Sequence, residues 1–211
     1  MIMPRWLTEH GLSLSFASLF AVSLAGQSIA GHISYNSTLA MHGFAGISFL
    51  GYLRTGNFLD GIFTNWQAAL LQLGCLVLFG VKLRERGAAH SLTTRNLPHK
   101  RPQRKGHKRS WIYRNSLTLA FAALFVLSFA AHLVFGAMDR NARMQMIHRP
   151  PISTLSYGCS SGFWFSNMQT WEAEFAAIAL YVLFSVYLRQ QGSPESKPVE
   201  SSNAITGKTN H

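Results

Sequence analysis

Gln27 and His132 stand 105 positions apart, and so do Gln67 and Glu172. Gln72 and Glu174 follow within the next two helical turns of their stretches. Imidazole, carboxylate and carboxamide groups move protons, hold cations or bridge helices, and here they lie in or beside apolar runs, where polar groups are expected to carry function. The spacing predicts a polar cluster of Gln27, His132, Gln67, Gln72, Glu172 and Glu174. In the sharper reading, His132 and Glu172 or Glu174 exchange a proton or bind a cation. In the plainer one, Gln27, His132 and Gln72 hydrogen-bond between helices, and the glutamates favour the positive N-terminal end of a helix. Interhelical polar contacts are common and contribute only about 0.6 kcal/mol on average, so the plainer reading is the default. No ionisable group lies in the middle of an apolar run, which argues against a proton pump or a voltage sensor.

Other chemistry fails sooner. The nine histidines include His90, His99 and His107, but no spacing resembles a ligand pair on a helix. Cys75 and Cys159 do not match at the 105-residue offset and are expected to be free thiols. There is no phosphate-binding glycine loop, no G-x-S-x-G and no H-E-x-x-H. Catalytic, cofactor-binding and metal-binding residues are therefore not predicted, no cofactor is expected, and the chain does not read as an enzyme.

The elements that would position these groups are apolar. Hydrophobic residues make up 48% of the 211-residue chain and charged residues 13%, about half the share usual in a soluble domain. Four blocks lack Lys, Arg, Asp and Glu: Gly11 to Gly31, Trp66 to Val81, Asn115 to Met138 and Phe175 to Leu188. A membrane-crossing helix needs roughly 17–25 mostly apolar residues, a length the first and third blocks clear and the other two reach narrowly. A soluble bundle of helices apolar all round would lack the polar surface to cover them. The expected fold is an all-α membrane protein with four transmembrane helices, at about residues 11–31, 66–83, 115–136 and 171–188.

The chain also repeats itself. At an offset of 105, GLSLSFASLFAVSLAG meets SLTLAFAALFVLSFAA, ISFLGY meets ISTLSY, and WQAALLQLGCLVLFGVKLRERG meets WEAEFAAIALYVLFSVYLRQQG. Trp6 meets Trp111 and Gly31 meets Gly136, with no gap. A fixed register that also matches loop residues implies duplication rather than shared apolarity. The predicted division is a two-helix repeat over 1–91, a basic linker over 92–110, a second two-helix repeat over 111–192 and a disordered tail over 193–211. Each repeat contains helix, outer segment and helix, so the copies are parallel. Ser48 and Ser153 are expected to cap short helices in the outer segments. Each second helix should begin outside the hydrocarbon with an amphipathic turn or two, and Trp66, Trp171, Tyr52 and Tyr157 should belong to an interfacial aromatic belt.

Orientation follows from the cations. Fifteen of nineteen Lys and Arg lie before the first block, between the second and third, or after the fourth. Basic flanks stay cytoplasmic, which puts both termini and the linker inside. The formal net charge of +11 is then a sorting signal rather than evidence for nucleic acid. The first block resembles a secretory signal peptide, but Ser23-Leu24-Ala25 is matched by Ser128-Phe129-Ala130 deep in the chain, which favours a retained anchor. Membrane lipids are the expected partners, with anionic head groups at the basic stretch 95–109 as the functional reading and topology enforcement as the plainer one.

NMQTWEAEF followed by LRQQGSPESKPV, with HGLSL at His10 and Gly26-Gln27 in the first block, resembles a domain-of-unknown-function family of small bacterial membrane proteins. That family typically carries N-W-x-S-E-F and L-R-Q-x-G-S-x-E-S-K. The likeness covers Trp6 to Val199 and rests chiefly on Trp171, Glu172, Glu174, Phe175 and the run Leu188 to Lys197. The first copy departs from it, with Gln67 and Ala69 in place of the acidic pair. The resemblance implies a bacterial inner membrane and no mechanism. The resulting expectation is a non-enzymatic envelope component acting by association with a second copy or another envelope protein. The rival is a transporter or channel for a small solute or ion that uses the polar cluster.

Overall fold

The computed structural model describes residues 5–92 and 110–207, and among these it is all helical with no strand. Four long helices dominate: α2 (Gly11–Met41), α4 (Gly56–Lys82), α6 (Ser116–Met146) and α8 (Ser161–Tyr187). Short helices α1 (Arg5–Glu9) and α5 (Trp111–Arg114) precede α2 and α6, while α3 (Phe49–Tyr52) and α7 (Thr154–Gly158) precede α4 and α8. The basic stretch 95–109 lies outside the described residues.

At about 1.5 Å per residue, the 31-residue helices α2 and α6 reach about 46 Å, and the 27-residue helices α4 and α8 about 40 Å. All exceed the roughly 30 Å hydrocarbon core. The first and third apolar blocks thus continue as helix about ten residues beyond Gly31 and Gly136, through stretches expected to be outer segment. Hydroxyls inside α2 are satisfied locally: Ser15, Ser18 and Ser28 each donate to the carbonyl four residues earlier. Such bonds let an otherwise apolar helix carry serine without an unpaired donor.

Among the described residues, three helices, not the expected four, are long and apolar enough to cross a membrane: α2, α4 and α6. Only 6%, 17% and 11% of their most apolar windows is buried, so these surfaces are not explained by packing within the chain. The exception is α8, because Glu172 and Glu174 interrupt it and the residues before them mix polar with aromatic side chains. Its remaining uncharged run from Phe175 to Tyr187 spans only about 20 Å.

Local geometry repeats along the chain. Each long helix in the second half begins and ends 105 positions after its counterpart in the first. The ends of α2 and α6 close in the same way. Gly43 and His148 both have positive φ, 78° and 54°, and the next amides return to Leu39 O and Met144 O at 2.9 Å, a left-handed C-terminal cap. Asparagines then clasp the returning chain. Asn36 Nδ2 donates to Ile47 O at 3.0 Å while Ile47 N donates to Asn36 Oδ1 at 2.9 Å. Asn141 and Ile152 make the same two bonds at 2.9 and 2.8 Å. Ser48 and Ser153 cap α3 and α7 by accepting from Gly51 N and Ser156 N.

The chain forms two compact units, Met1–Ile62 with His132–Cys159, and Phe63–Ala131 with Ser160–His211. The second unit includes much of the tail expected to be disordered. Through residue 207 the tail is instead tied down. The Lys197 side chain, only 1% exposed, donates to Gly87 O, and to Ile205 O at 3.1 Å, with Ser202 O and Asn203 O at 3.4 and 3.5 Å. Burial, and after it Arg189, lowers the Lys197 pKa below the usual lysine value, while the ring of carbonyls supplies acceptors for every ammonium hydrogen. Arg189 adds bonds to Ser201 O and Asn203 Oδ1.

Candidate functional site: a buried ionic array

The first unit contains a set of ionisable side chains. His132, 0% exposed, donates from Nδ1 to Asp60 Oδ1 at 2.7 Å. One and two turns further along α6 come Gly136 and Asp139, and Asp139 Oδ2 accepts from Arg143 Nε at 2.7 Å. The i,i+4 spacing of Asp139 and Arg143 places both on one helix face. Asp139 is buried, and its Oδ1 has no hydrogen-bond partner among the described residues.

Glycine makes room for this set. A Cβ on Gly136 would lie 2.7 Å from Tyr157 Oη and 2.8 Å from Asp60 Oδ1, so phenol and carboxylate crowd the same patch of α6 backbone. Gly31 does the corresponding service for Tyr52, whose hydroxyl occupies the space a Cβ would need. At Gly56, a Cβ would meet the backbone of Phe135, Met138 and Asp139. That close approach of α4 to α6 brings Asp60, one turn on, within reach of His132. The Tyr157 pKa is pushed up to about 12, by burial first and by Asp60 and Asp139 next, against the opposing pull of Arg140 and Arg143. Tyr52 is raised by burial, then by Asp139 and Tyr35. Both phenols are therefore hydrogen-bond donors at neutral pH.

The predicted cluster is divided between the units. In the first unit His132 bonds Asp60 instead of a glutamate, and the exposed Gln27 places Nε2 3.3 Å from the Cβ position of Gly61. The second unit holds the other four residues. Buried Gln67 donates to Asn167 Oδ1 at 3.0 Å and Thr64 O at 3.1 Å, and accepts from Trp171 Nε1 at 2.8 Å. Gln72 donates to the backbone carbonyl of Glu174 at 2.8 Å. The Glu172 side chain is exposed. Around Gln67 and Gln72, amide hydrogen bonding between helices is what the geometry provides.

Tyr52 and Tyr157 are buried, because Gly31 and Gly136 let them pack flat against helix backbone. Trp66 remains exposed and Trp171 is half-buried with its indole N–H on Gln67. Asp60, Asp139 and Arg143 were not singled out from the sequence. Their signal was Asp60 recurring among apolar residues at helical spacing, and an Asp and an Arg four apart beyond the third apolar block.

Described residues that are helical throughout, with three apolar helices of membrane-crossing length and a partly buried ionic array, are compatible with a membrane protein. The chain belongs to the family described as Domain of unknown function (DUF6766), which matches residues 3–208. Comparison with curated proteins and with solved structures gives no match.

Proposed function

We propose that the protein is a non-enzymatic, multi-pass component of the bacterial inner membrane that acts by association through its outer segments. The observation that carries this reading is the pair of clasped segments, which hold apolar side chains out at matched positions. Leu50 on α3 is 69% exposed and Leu155 on α7 is 77% exposed, each just beyond an asparagine clasp that fixes the backbone. Ordered segments with outward leucines suit a contact surface for a second copy or another envelope protein.

Duplication of a helical hairpin is the proposed origin of the architecture, supported by the coincident helix bounds and clasps. The same correspondence supports counting α8 as a fourth crossing, since it matches α4 in length and position. The distribution of cations supports cytoplasmic termini, and the composition of 95–109 supports contact with anionic lipid head groups. A photo-crosslinking residue placed at Leu50 or Leu155 in intact cells tests the association. The expected result is a discrete adduct with a second copy or one envelope protein; a protein that gives no adduct at either position and purifies only as a monomer overturns it.

The Asp60–His132 pair favours a second reading, transport of a small solute or ion. Flux into proteoliposomes that is lost on His132→Ala supports that reading, and flux equal to empty vesicles across a broad solute panel removes it.

A further inference from the structure

The close approach of α4 to α6 has two arginines at its rim. A Cβ on Gly56 would lie 2.7 Å from Phe135 O and 2.8 Å from Met138 C, and closer still to Asp139 N. Arg54 stands two residues before Gly56 and Arg140 one residue after Asp139, so both side chains start beside this single backbone contact. Their origins are fixed. Arg54 N donates to Gly51 O at 3.1 Å and Thr55 N to Tyr52 O at 2.9 Å, while Tyr52 is seated on Gly31. Arg140 lies within α6. Both arginines are exposed and enter no ion pair among the described residues. The neighbouring acids are engaged elsewhere, Asp60 by His132 and Asp139 by Arg143, each at 2.7 Å.

Charge and depth together define what these arginines meet. Asp60 and Asp139 stand with Arg54, Arg140 and Arg143, two carboxylates against three guanidiniums. One positive charge is left over with His132 neutral, and the excess only grows if His132 is protonated. Gly31 closes the first charge-free block and Met138 the third. Arg54 follows the tyrosine seated on Gly31 by two residues and Arg140 follows Met138 by two, so both sit at the edge of the apolar stretches. Where α6 crosses a bilayer, that edge is the level of the lipid phosphates, and an arginine there lays its stem along apolar surface and keeps its charge among them. A guanidinium pairs with phosphate through two parallel hydrogen bonds, and basic pockets between membrane helices hold anionic head groups. We propose that Arg54 and Arg140 together bind the phosphodiester of one anionic phospholipid. Its single negative charge balances the excess, whereas a zwitterionic head group brings its own cation and leaves the excess in place.

This site rests on α6 crossing the membrane and on neither association nor transport. Full-length protein in detergent is titrated with phosphatidylglycerol, and the lipids retained per chain are counted by native mass spectrometry. The basic stretch 95–109 is identical in every variant, so its contribution is common to all. The wild type is expected to hold one more phosphatidylglycerol than the double variant Arg54→Gln/Arg140→Gln, which binds that lipid roughly thirtyfold more weakly. Arg54→Lys/Arg140→Lys, which keeps the charge, retains the extra lipid. Arg149→Gln, at an exposed arginine beyond the end of α6, matches the wild type. Equal unfolding midpoints for the wild type and the glutamine variant separate loss of lipid from loss of fold. Equal phosphatidylglycerol retention by those two proteins, equal retention of phosphatidylcholine by the wild type, or the same loss on Arg149→Gln overturns the proposal. So does displacement of the lipid by millimolar inorganic phosphate, which would make the site one for a free anion.

Discussion

The stretches related by 105 positions agree where they hold backbone and differ where they hold charge. Asn36 and Asn141, Ser48 and Ser153, Gly31 and Gly136, and Tyr52 and Tyr157 do the same work in both halves. His132, Asp139 and Arg143 stand opposite Gln27, Ser34 and Thr38, and Asp60 stands opposite Phe165. The scaffold is therefore doubled, while the ionic array is single. Buried backbone groups must be paired wherever a chain turns back, so both halves need their clasps. A buried charge is tolerated only beside its partners, so the array exists where all its members meet.

Three predictions test that contrast. The largest effect belongs to the unshared pair. His132→Ala removes the His132–Asp60 hydrogen bond and should lower stability by about 3–5 kcal/mol. Gln27→Ala, at the matched but exposed position, should change it by no more than about 0.5 kcal/mol. Unfolding in detergent measures both, and equal losses would erase the asymmetry. Next come the shared glycines. Gly31→Ala and Gly136→Ala each force a tyrosine off its helix, at a cost of about 1–3 kcal/mol. Gly136→Ala should cost more because it also strikes Asp60.

The smallest effect is one of pH. A phenol raised from 10 to about 12 contributes stability that is fully present below about pH 10 and is lost as pH rises through about 12. For Tyr157 this amounts to about 1–2 kcal/mol, allowing for residual screening. Tyr157→Phe should flatten the alkaline loss more than Tyr52→Phe, since Tyr157 has both Asp60 and Asp139 as neighbours. Thermal unfolding followed by circular dichroism across that pH range decides between them.

The comparison also explains what could be read in advance. Helix positions were legible because apolar runs and a fixed register constrain them, and Ser48 and Ser153 were legible as caps because a cap is a local device. Helix length was underestimated because α2 and α6 continue through Ser34 to Met41 and Asp139 to Met146, where charge and polarity resemble a loop. The partner of His132 was missed because matched positions directed attention to Glu172, whereas Asp60 has a phenylalanine as its counterpart. Pairing between α4 and α6 depends on the close approach at Gly56, a tertiary fact that no local pattern carries. The fourth helix starts ten residues before the expected 171 and ends one residue before the expected 188, and its two glutamates set it apart from the other long helices in apolar length.

The lysine plug at the end of the chain has a practical corollary. A shortened protein ending before Lys197, of the kind made to trim a polar extremity, would leave the Gly87 carbonyl without its donor and uncover the alanines at 88 and 89. Reporter proteins for mapping sidedness are accordingly best joined after residue 207, where the plug stays seated and the readout describes the native molecule.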